Sequence, residues 1–250
     1  MVEPHISSLT TLRSETLDSF DQSTDASGIN AFLSSIRDRL GLKHVVYHSP
    51  ALRGCSHDDP FLALTYPEDW QKRYRDQHYV GVDPVVQTAV RSVLPIDWSR
   101  LDRSGRRVEK MFQESIDAGV GQQGLTIPIR GPINGVWGLF TVTTDDDPES
   151  WNLRRDQLVR DIVVLGHMVH QRSYELTGKL EEPLGLRSIS PRECEALSWT
   201  AEGKTVNDVA AIMRLSPETV RGYLDSARNK LGALNRTHAV VRAIRVGIVR

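Results

Sequence analysis

The spacing of apolar residues divides the first part of the chain into amphipathic helices. Between Ile29 and Leu40, apolar side chains recur at the three- and four-residue intervals of one helix face, which predicts a helix over about Gly28–Leu40. Similar spacing predicts further helical segments near Leu9–Phe20 and at Glu68–Gln77, Pro84–Ser92 and Ser104–Ala118.

Shorter apolar runs between these helices have the length of β-strands. They lie at His44–His48, Phe61–Tyr66, Leu125–Arg130 and Val136–Thr143. The last two flank a segment that runs Gly-Pro-Ile-Asn-Gly from Gly131 to Gly135, and its Asn-Gly pair favours a tight turn. Because the strands alternate with helices, we expect a sheet that is covered by helices on both faces.

A longer apolar stripe predicts a helix from about Leu153 to Leu176. Its members are Leu158, Ile162, Leu165 and Val169. The stripe fits either packing against the sheet or a seam between two copies of the chain, and the pattern leaves both open. The following segment, 177–187, has no periodicity and contains three Gly or Pro residues, so we interpret it as a linker.

Residues 190–250 give four short helices with clear start and stop signals. A capping box with a proline at the first helical position opens the first helix at Ser190. Thr205 precedes a second helix, Val206–Met213, and Ser216 precedes a third, which ends before Gly232. A fourth covers about Thr237–Val246. Two helices joined by a three-residue turn are typical of a helix-turn-helix motif.

Composition places the chain among ordinary globular proteins. Its 250 residues allow two domains, and 39% of them are hydrophobic and 25% charged. No apolar run approaches the roughly 20 residues that span a bilayer, and the N-terminus lacks the pattern of a signal peptide. Only two cysteines occur, Cys55 and Cys194, which argues against a disulfide framework. We therefore expect a cytoplasmic protein without a membrane partner.

The charge distribution suggests a polyanionic partner for the C-terminal segment. Residues 188–250 contain ten Lys and Arg but six Asp and Glu, while the whole chain carries a net charge of −1. The third helix presents Arg221, Arg228 and Lys230 on its polar side, and its first turn offers Thr219 and backbone amides that favour phosphate. Double-stranded DNA is the predicted partner, and a helical bundle with a solvated basic face is the alternative.

The C-terminal segment resembles the DNA-binding domain of the LuxR family. The residues that carry this resemblance are Ser190–Glu193, Leu197, Trp199, Gly203–Thr205, Thr219-Val220, Tyr223-Leu224, Ala227, Lys230–Gly232, Asn235–Thr237, Ala239-Val240 and Ala243-Ile244. The resemblance implies that Arg221 reads a base. It also implies backbone contacts, for which the candidates are Thr205, Thr219, Lys230 and Arg236. Two residues depart from the family pattern: Gly222, which weakens the helix by up to ~1 kcal/mol relative to Ala, and Asp225, which would either repel phosphate or accept a hydrogen bond from cytosine N4.

The N-terminal segment resembles the autoinducer-binding domain of acyl-homoserine-lactone receptors. The residues that carry this resemblance are Tyr66–Trp70, Tyr74, Asp83-Pro84, Ser92–Ile96, Trp98 and Gly124–Ile129. Such a ligand offers one amide N–H and two carbonyl groups, so its pocket needs one acceptor, several donors and apolar walls. By resemblance, Trp70 binds the lactone carbonyl, Asp83 the amide N–H, and Tyr66 the amide carbonyl. Thr141 would bind the same amide carbonyl, and Tyr74, Val85 and Trp98 would line the walls.

Simpler roles exist for several of these residues, and enzyme motifs are weak. Trp70 and Tyr74 could be core aromatics, and Asp83 before Pro84 is a good helix N-cap. The segment Gly119–Gly124 fits a dinucleotide fingerprint in its letters, but it follows a helix and precedes a strand, which is the reverse of such a site. No nucleophile or metal motif occurs, so we predict no enzyme and no cofactor.

The sequence therefore predicts an α+β protein with two domains. The first, residues 1–176, would be an α/β/α sandwich sensor with an antiparallel sheet between helices. After a linker at 177–187, residues 188–250 would form an all-α, four-helix helix-turn-helix domain. The predicted function is a quorum-sensing regulator that binds an acyl-homoserine lactone and, as a homodimer, a palindromic promoter site. The alternatives are the same architecture with a different small molecule and a regulator that needs no ligand.

Overall fold

The computed structural model describes residues 20, 25–52, 55, 59–131, 135–177 and 189–249. They fall into two compact units, which we describe separately. The first comprises the described residues up to Gly131 and from Trp137 to Thr177, and the helices of the second lie between Pro191 and Arg245. Almost all of the predicted helix near Leu9–Phe20 and most of the predicted linker lie outside the described residues.

An antiparallel sheet forms the centre of the first unit. Its strands are β1 (His44–Ser49), β2 (Phe61–Leu64), β3 (Ile96–Asp97), β4 (Gln123–Arg130) and β5 (Trp137–Thr144). They are ordered β2-β1-β5-β4-β3, so that β5 pairs with both β1 and β4. The sequence predicted four of these strands. It missed β3, because two residues are too few to show a periodic pattern.

The helices of this unit confirm the predicted segments with small shifts at their ends. They are α1 (Ala26–Arg39), α2 (Glu68–Asp76), α3 (Pro84–Arg91), α4 (Arg106–Asp117) and α5 (Pro148–Leu176). Helix α5 begins five residues before the predicted Leu153. Its cap is Asp147, whose carboxylate accepts from the backbone N–H groups of Glu149 and Ser150 at 2.9 and 3.1 Å. The prediction followed the apolar stripe and missed this local signal.

Helix α5 packs its apolar stripe on the sheet of its own chain. Leu158, Ile162, Leu165 and Val169 are all buried. At Gly166, an added Cβ would lie 2.9 Å from the Cβ of Phe140 in β5, so glycine permits the close approach of helix and sheet. Of the two alternatives for this stripe, packing is therefore confirmed, and the stripe is not available as a seam between two copies.

The second unit is a four-helix domain with the predicted order. Its helices are α6 (Pro191–Ala201), α7 (Val206–Met213), α8 (Pro217–Lys230) and α9 (Arg236–Arg245). Leu197, Val209, Val220 and Leu224 lie in one buried cluster that joins α6, α7 and α8. Arg214, with a left-handed φ of 55°, turns the chain between α7 and α8. This arrangement is a helix-turn-helix in which α8 is the second helix.

None of the helices in the described part of the chain combines the length and the apolar character that crossing a bilayer requires.

Candidate ligand and DNA sites

Asp83 is a buried carboxylate that accepts hydrogen bonds at both of its oxygens. It is the N-cap of α3, where its Oδ1 accepts from the backbone N–H of Val85 at 2.8 Å. Its Oδ2 accepts from the Tyr74 hydroxyl at 2.8 Å. Burial raises the pKa of Asp83, while these two hydrogen bonds act in the opposite direction. Asp83 therefore caps α3 through Oδ1. Its Oδ2 retains lone pairs for a further donor.

Three aromatic rings lie together next to this carboxylate. Trp70 stands 5.8 Å from Tyr74 and 6.1 Å from Tyr79, measured between ring centroids, and the two tyrosine rings are 6.0 Å apart. Trp70 and Tyr79 are almost fully buried. Spacings of this size are favourable for tilted and stacked aromatic pairs. Trp70 and Tyr74 are thus core aromatics, which is the simpler role that the sequence left open for them. The same core also contains the carboxylate of Asp83.

Most of the predicted ligand residues belong to this one cluster. Tyr66, Trp70, Tyr74, Val85 and Trp98 all lie in it, together with Met111, Phe112 and Val120. Burial and the negative charge of Asp83 raise the pKa of the Tyr66 hydroxyl, which places Tyr66 within electrostatic reach of Asp83. Residues from β2 to α4 therefore meet at one place, although the chain separates them by tens of residues.

Two hydrogen-bond donors in this cluster have no partner among the described residues. They are the indole N–H of Trp70 and the hydroxyl of Tyr66. The hydroxyls of Tyr74 and Tyr79 and the indole N–H of Trp98 are all hydrogen-bonded within the chain. These two donors are free to bind the oxygens of a ligand that enters the cluster.

Trp98 is linked to Thr141 through a residue that sequence reasoning missed. The indole N–H of Trp98 donates to Thr126 Oγ1 at 3.0 Å, and Thr126 Oγ1 lies 2.9 Å from Thr141 Oγ1. Thr126 and Thr141 face each other across β4 and β5. Thr126 could have been found from its alternation with Gly124 along the strand, since both residues lie on the face that Trp98 covers.

Gly124 is the last glycine of the segment that fits a dinucleotide fingerprint in its letters, and it allows Trp98 to pack on β4. A Cβ on Gly124 would lie 2.2 Å from Cδ2 of Trp98, so only glycine lets the indole lie flat on the strand. Gly119 and Gly121 have φ values of +81° and +121°, which fits a turn that leads into β4. The three glycines are therefore explained by backbone and packing requirements.

A second set of polar residues missed by the sequence analysis holds the helices around the cluster. Arg73 in α2 donates two hydrogen bonds to Glu114 in α4, at 2.8 and 2.6 Å, and the Tyr79 hydroxyl donates to the same carboxylate at 2.7 Å. These donors hold the pKa of Glu114 well below its usual range, at about 2. The partners are about 40 positions apart in the chain, so no local pattern pointed to them.

A buried histidine of α5, His170, contacts a tyrosine of β1. The Tyr47 hydroxyl is 2.7 Å from Nδ1 of His170, and both side chains are almost fully buried. Burial lowers the pKa of His170 to about 4. Within the described residues, no group of three or more His, Cys, Asp and Glu side chains is arranged to hold a metal ion. His170 is thus a neutral core residue at pH 7.

The N-terminus of α8 carries the predicted base reader. Ser216 caps the helix and accepts from the backbone N–H of Thr219 at 3.1 Å, so this amide is already bonded. Arg221, half of whose side chain is exposed, donates to Glu218 at 2.9 Å. Glu218 is 85% exposed, and an ion pair of this kind contributes little to stability. Arg221 is therefore held on the outer surface by a contact that is easily exchanged.

Asp225 pairs with Arg236 of α9. Arg236 donates to both carboxylate oxygens, at 3.2 and 3.0 Å, and these bonds lower the pKa of Asp225. Asp225 does not pair with Arg221 one helical turn earlier, because Arg221 pairs with Glu218. Asp225 instead connects α8 to α9 and offsets the charge of Arg236.

Lys230 is occupied by an ion pair within the domain. Its ammonium lies 2.8 Å from both carboxylate oxygens of Glu193, which is 4% exposed. Burial raises the pKa of Glu193, but hydrogen bonds from Lys230, Ser226 and Ser190 outweigh burial and hold it at about 2. Thr205 is similarly engaged, since it forms a capping box with Asp208. Both residues stabilise the domain, whatever they contribute to DNA binding.

Comparison with known proteins assigns both units to described families. The Autoinducer binding domain family matches residues 25–173, and the family of bacterial regulatory proteins called luxR matches residues 187–243. The chain belongs to the LuxR family. It is a transcription regulator with an autoinducer-binding domain and a helix-turn-helix domain, as the sequence predicted, and not an enzyme.

Relatives of this LuxR-family regulator cover most of its length. The transcriptional activator protein RaiR of Rhizobium etli is 39% identical over 78% of this chain and 80% of its own. The quorum-sensing regulator RhlR of Pseudomonas aeruginosa is 31% identical over 90% of this chain and 91% of its own. The crystal structure of Escherichia coli SdiA matches with a TM-score of 0.65 at 22% identity, covering 96% of this chain and 99% of that one. This likeness confirms the α+β fold.

Proposed function

We propose that this LuxR-family regulator binds an acyl-homoserine lactone in a sensor domain of residues 1–176. The observation that carries the proposal is the buried cluster around Asp83. There the carboxylate has spare lone pairs, while the donors of Tyr66 and Trp70 have no partner among the described residues. One acceptor and two donors within apolar walls match the amide and the two carbonyl groups of such a ligand.

Each polar group has one role in this proposal. Asp83 Oδ2 accepts from the ligand amide N–H, the Trp70 indole N–H donates to the lactone carbonyl, and the Tyr66 hydroxyl donates to the amide carbonyl. Tyr74 holds the carboxylate in place by its hydrogen bond of 2.8 Å. Tyr74, Val85 and Trp98 also form walls, in agreement with their places in the cluster.

Thr141 provides a further donor to the amide carbonyl. Thr126 already accepts the N–H of Trp98, and it can donate its own hydrogen to the Thr141 oxygen at 2.9 Å. The hydrogen of Thr141 is then available for the ligand. Thr126 is therefore a positioning residue, because it acts on the ligand only through Thr141.

We further propose that the protein acts in the cytoplasm as a homodimer on palindromic DNA. The DNA-binding domain would comprise residues 188–250, joined through a linker at 177–187, and two copies of α8 would enter successive major grooves. Arg221 would contact a base, and Asp225 would affect binding by neutralising Arg236. Thr205, Thr219, Lys230 and Arg236 would lie near the phosphate backbone. Half-sites would then repeat at roughly 10 base pairs centre to centre.

Selection from a randomised DNA library, carried out with and without an acyl-homoserine lactone, tests this function. We expect the liganded protein to enrich a palindrome with that spacing, and ultracentrifugation to show a dimer. A protein that folds and selects the same palindrome with no small molecule bound would instead support a ligand-independent regulator. Enrichment of no duplex under any condition would contradict the DNA-binding proposal.

A further inference from the structure

Gly222 lies in the interior of α8, the proposed recognition helix, and no contact with the described residues requires a glycine there. Glycine lowers the stability of an exposed helix relative to alanine, so it is usually explained by a left-handed backbone or a close contact. Gly222 has no positive φ, and a Cβ added to it would meet no atom within 4 Å. By contrast, an added Cβ at Gly166 or Gly124 would collide with a neighbour.

Gly222 lies on the outer surface of the domain. It is exposed and follows the exposed Arg221. Glu218 and Asp225 lie four residues before and three residues after it, which places all three on one side of the helix. Val220 and Leu224, on the opposite side, are buried in the domain core. Gly222 is thus a gap in the middle of the surface that carries the charged residues.

We infer that Gly222 is a specificity-determining residue for DNA. The missing side chain lets the backbone of α8 approach a base edge in the major groove, where a Cβ would collide with the DNA. The benefit of glycine at this position then exists only in the complex, which explains why no contact among the described residues requires it. This inference rests on the proposed role of α8 as the recognition helix.

The variant Gly222→Ala separates the two effects of this glycine. Within the free protein, alanine adds helix propensity and meets no neighbour, so amide hydrogen exchange of α8 in the full chain should slow. Binding to the operator selected by the wild type should weaken on the order of tenfold, the cost of one unfavourable base-pair contact. Repeating the selection should show a changed preference at one position in each half-site.

The matched control is Asn229→Ala, at another exposed position of α8 two turns later. It also adds helix propensity, but it lies far from the N-terminal end that enters the groove. We expect it to bind the wild-type operator nearly as tightly as the wild type does. Equal losses of affinity in both variants would show that the effect does not depend on the position of Gly222 and would overturn the inference.

Two other results would overturn it. One is a Gly222→Ala protein that binds the operator as tightly as the wild type, with unchanged sequence preference. The other is a change in the dimer dissociation constant of Gly222→Ala, measured by ultracentrifugation, that accounts for all of its loss of DNA affinity. If the wild type itself binds no duplex, the proposed function fails and this inference fails with it. If the wild type binds its operator and only Gly222→Ala loses affinity with a changed sequence preference, the result supports the inference.

Discussion

The Tyr74 hydroxyl donates a 2.8 Å hydrogen bond to Oδ2 of Asp83, whose other oxygen caps α3. The same carboxylate therefore fixes the start of a helix and faces a cluster of aromatic rings. A carboxylate held at both oxygens has little rotational freedom left. This pre-organisation lowers the entropy that the side chain would lose when it binds a ligand.

Replacing Asp83 with asparagine should weaken lactone binding by about 1–3 kcal/mol, because a charge-assisted acceptor becomes a neutral one. Asparagine is as good an N-cap as aspartate, so α3 should persist. Displacement of a labelled lactone measures the affinity. Tyr74→Phe is the control, since it removes a donor to Asp83 but keeps the carboxylate, and it should lose less affinity. Unchanged affinity in Asp83→Asn would show that this residue is only a cap.

The two tryptophans of the cluster should respond differently to phenylalanine. In Trp70→Phe, a donor without an intramolecular partner is removed, so lactone affinity should fall by about 1 kcal/mol. The free energy of unfolding should fall only through the packing that the smaller ring loses, because no polar group is left unpaired. In Trp98→Phe, the Thr126 hydroxyl keeps Thr141 but loses the indole N–H that donates to it, so the free energy of unfolding should fall by about 1–3 kcal/mol. Urea unfolding and lactone displacement measure both quantities. The roles are misassigned if Trp70→Phe binds as tightly as the wild type.

The stability of the sensor unit should fall in acid because of His170. Its pKa is about 4 in the folded protein and near 6.5 when unfolded, so the unfolded state takes up the proton first. The loss develops as the pH falls from about 6.5 toward 4, and it should reach about 2 kcal/mol at pH 5 relative to pH 7.

Urea unfolding of the wild type and His170→Gln at pH 7 and pH 5 isolates this effect. Glutamine keeps a polar side chain but does not titrate, so the variant should lose less stability between the two pH values. The pKa of His44 is also lowered by burial. Because His44 is present in both proteins, its effect on stability cancels in the comparison. Equal losses in wild type and variant would rule out His170 as the cause.

Arg221 and Lys230 should differ in the kind of defect that their loss causes. Arg221→Ala should cost about 1–3 kcal/mol of operator binding and relax the preference at one base pair per half-site. Lys230→Ala leaves the buried Glu193 carboxylate without its ammonium, so it should lower the stability of the DNA-binding domain by about 1–3 kcal/mol.

Binding to a randomised operator library at two salt concentrations separates these outcomes. If Lys230 also contacts phosphate, its loss should weaken all sequences about equally and make binding less dependent on salt. An unchanged sequence preference in Arg221→Ala would remove Arg221 as the base reader.

Local signals in the sequence predicted the helices and their caps well. The capping box at Ser190 and the cap at Thr205 appear in the structure as predicted, because a cap and its partner are only three positions apart. The reciprocal hydrogen bond of Asp208, which makes the cap at Thr205 a capping box, was not predicted. The apolar stripe of α5 likewise identified its buried face, since helix periodicity depends only on neighbouring turns. The choice between a sheet and a second copy as its partner required the tertiary structure.

Long-range polar pairs could not be predicted in this way. Neither the pairing of Asp225 with Arg236 nor that of Lys230 with Glu193 follows from any periodicity. Thr126 escaped notice for a different reason, because an inward-facing threonine in a strand looks like an ordinary β-former. For the ligand cluster, Tyr66, Trp70 and Asp83 were identified by family resemblance, and chemical complementarity only explained the choice.

The proposed function depends on an acyl-homoserine lactone that is bound by the cluster around Asp83. Its most direct test is mass spectrometry of small molecules released from the full-length protein after purification from a host that makes such signals. We predict that the wild type releases one acyl-homoserine lactone per chain and that Asp83→Asn releases much less. A folded wild-type protein that releases a different small molecule, or none, would contradict the proposed function.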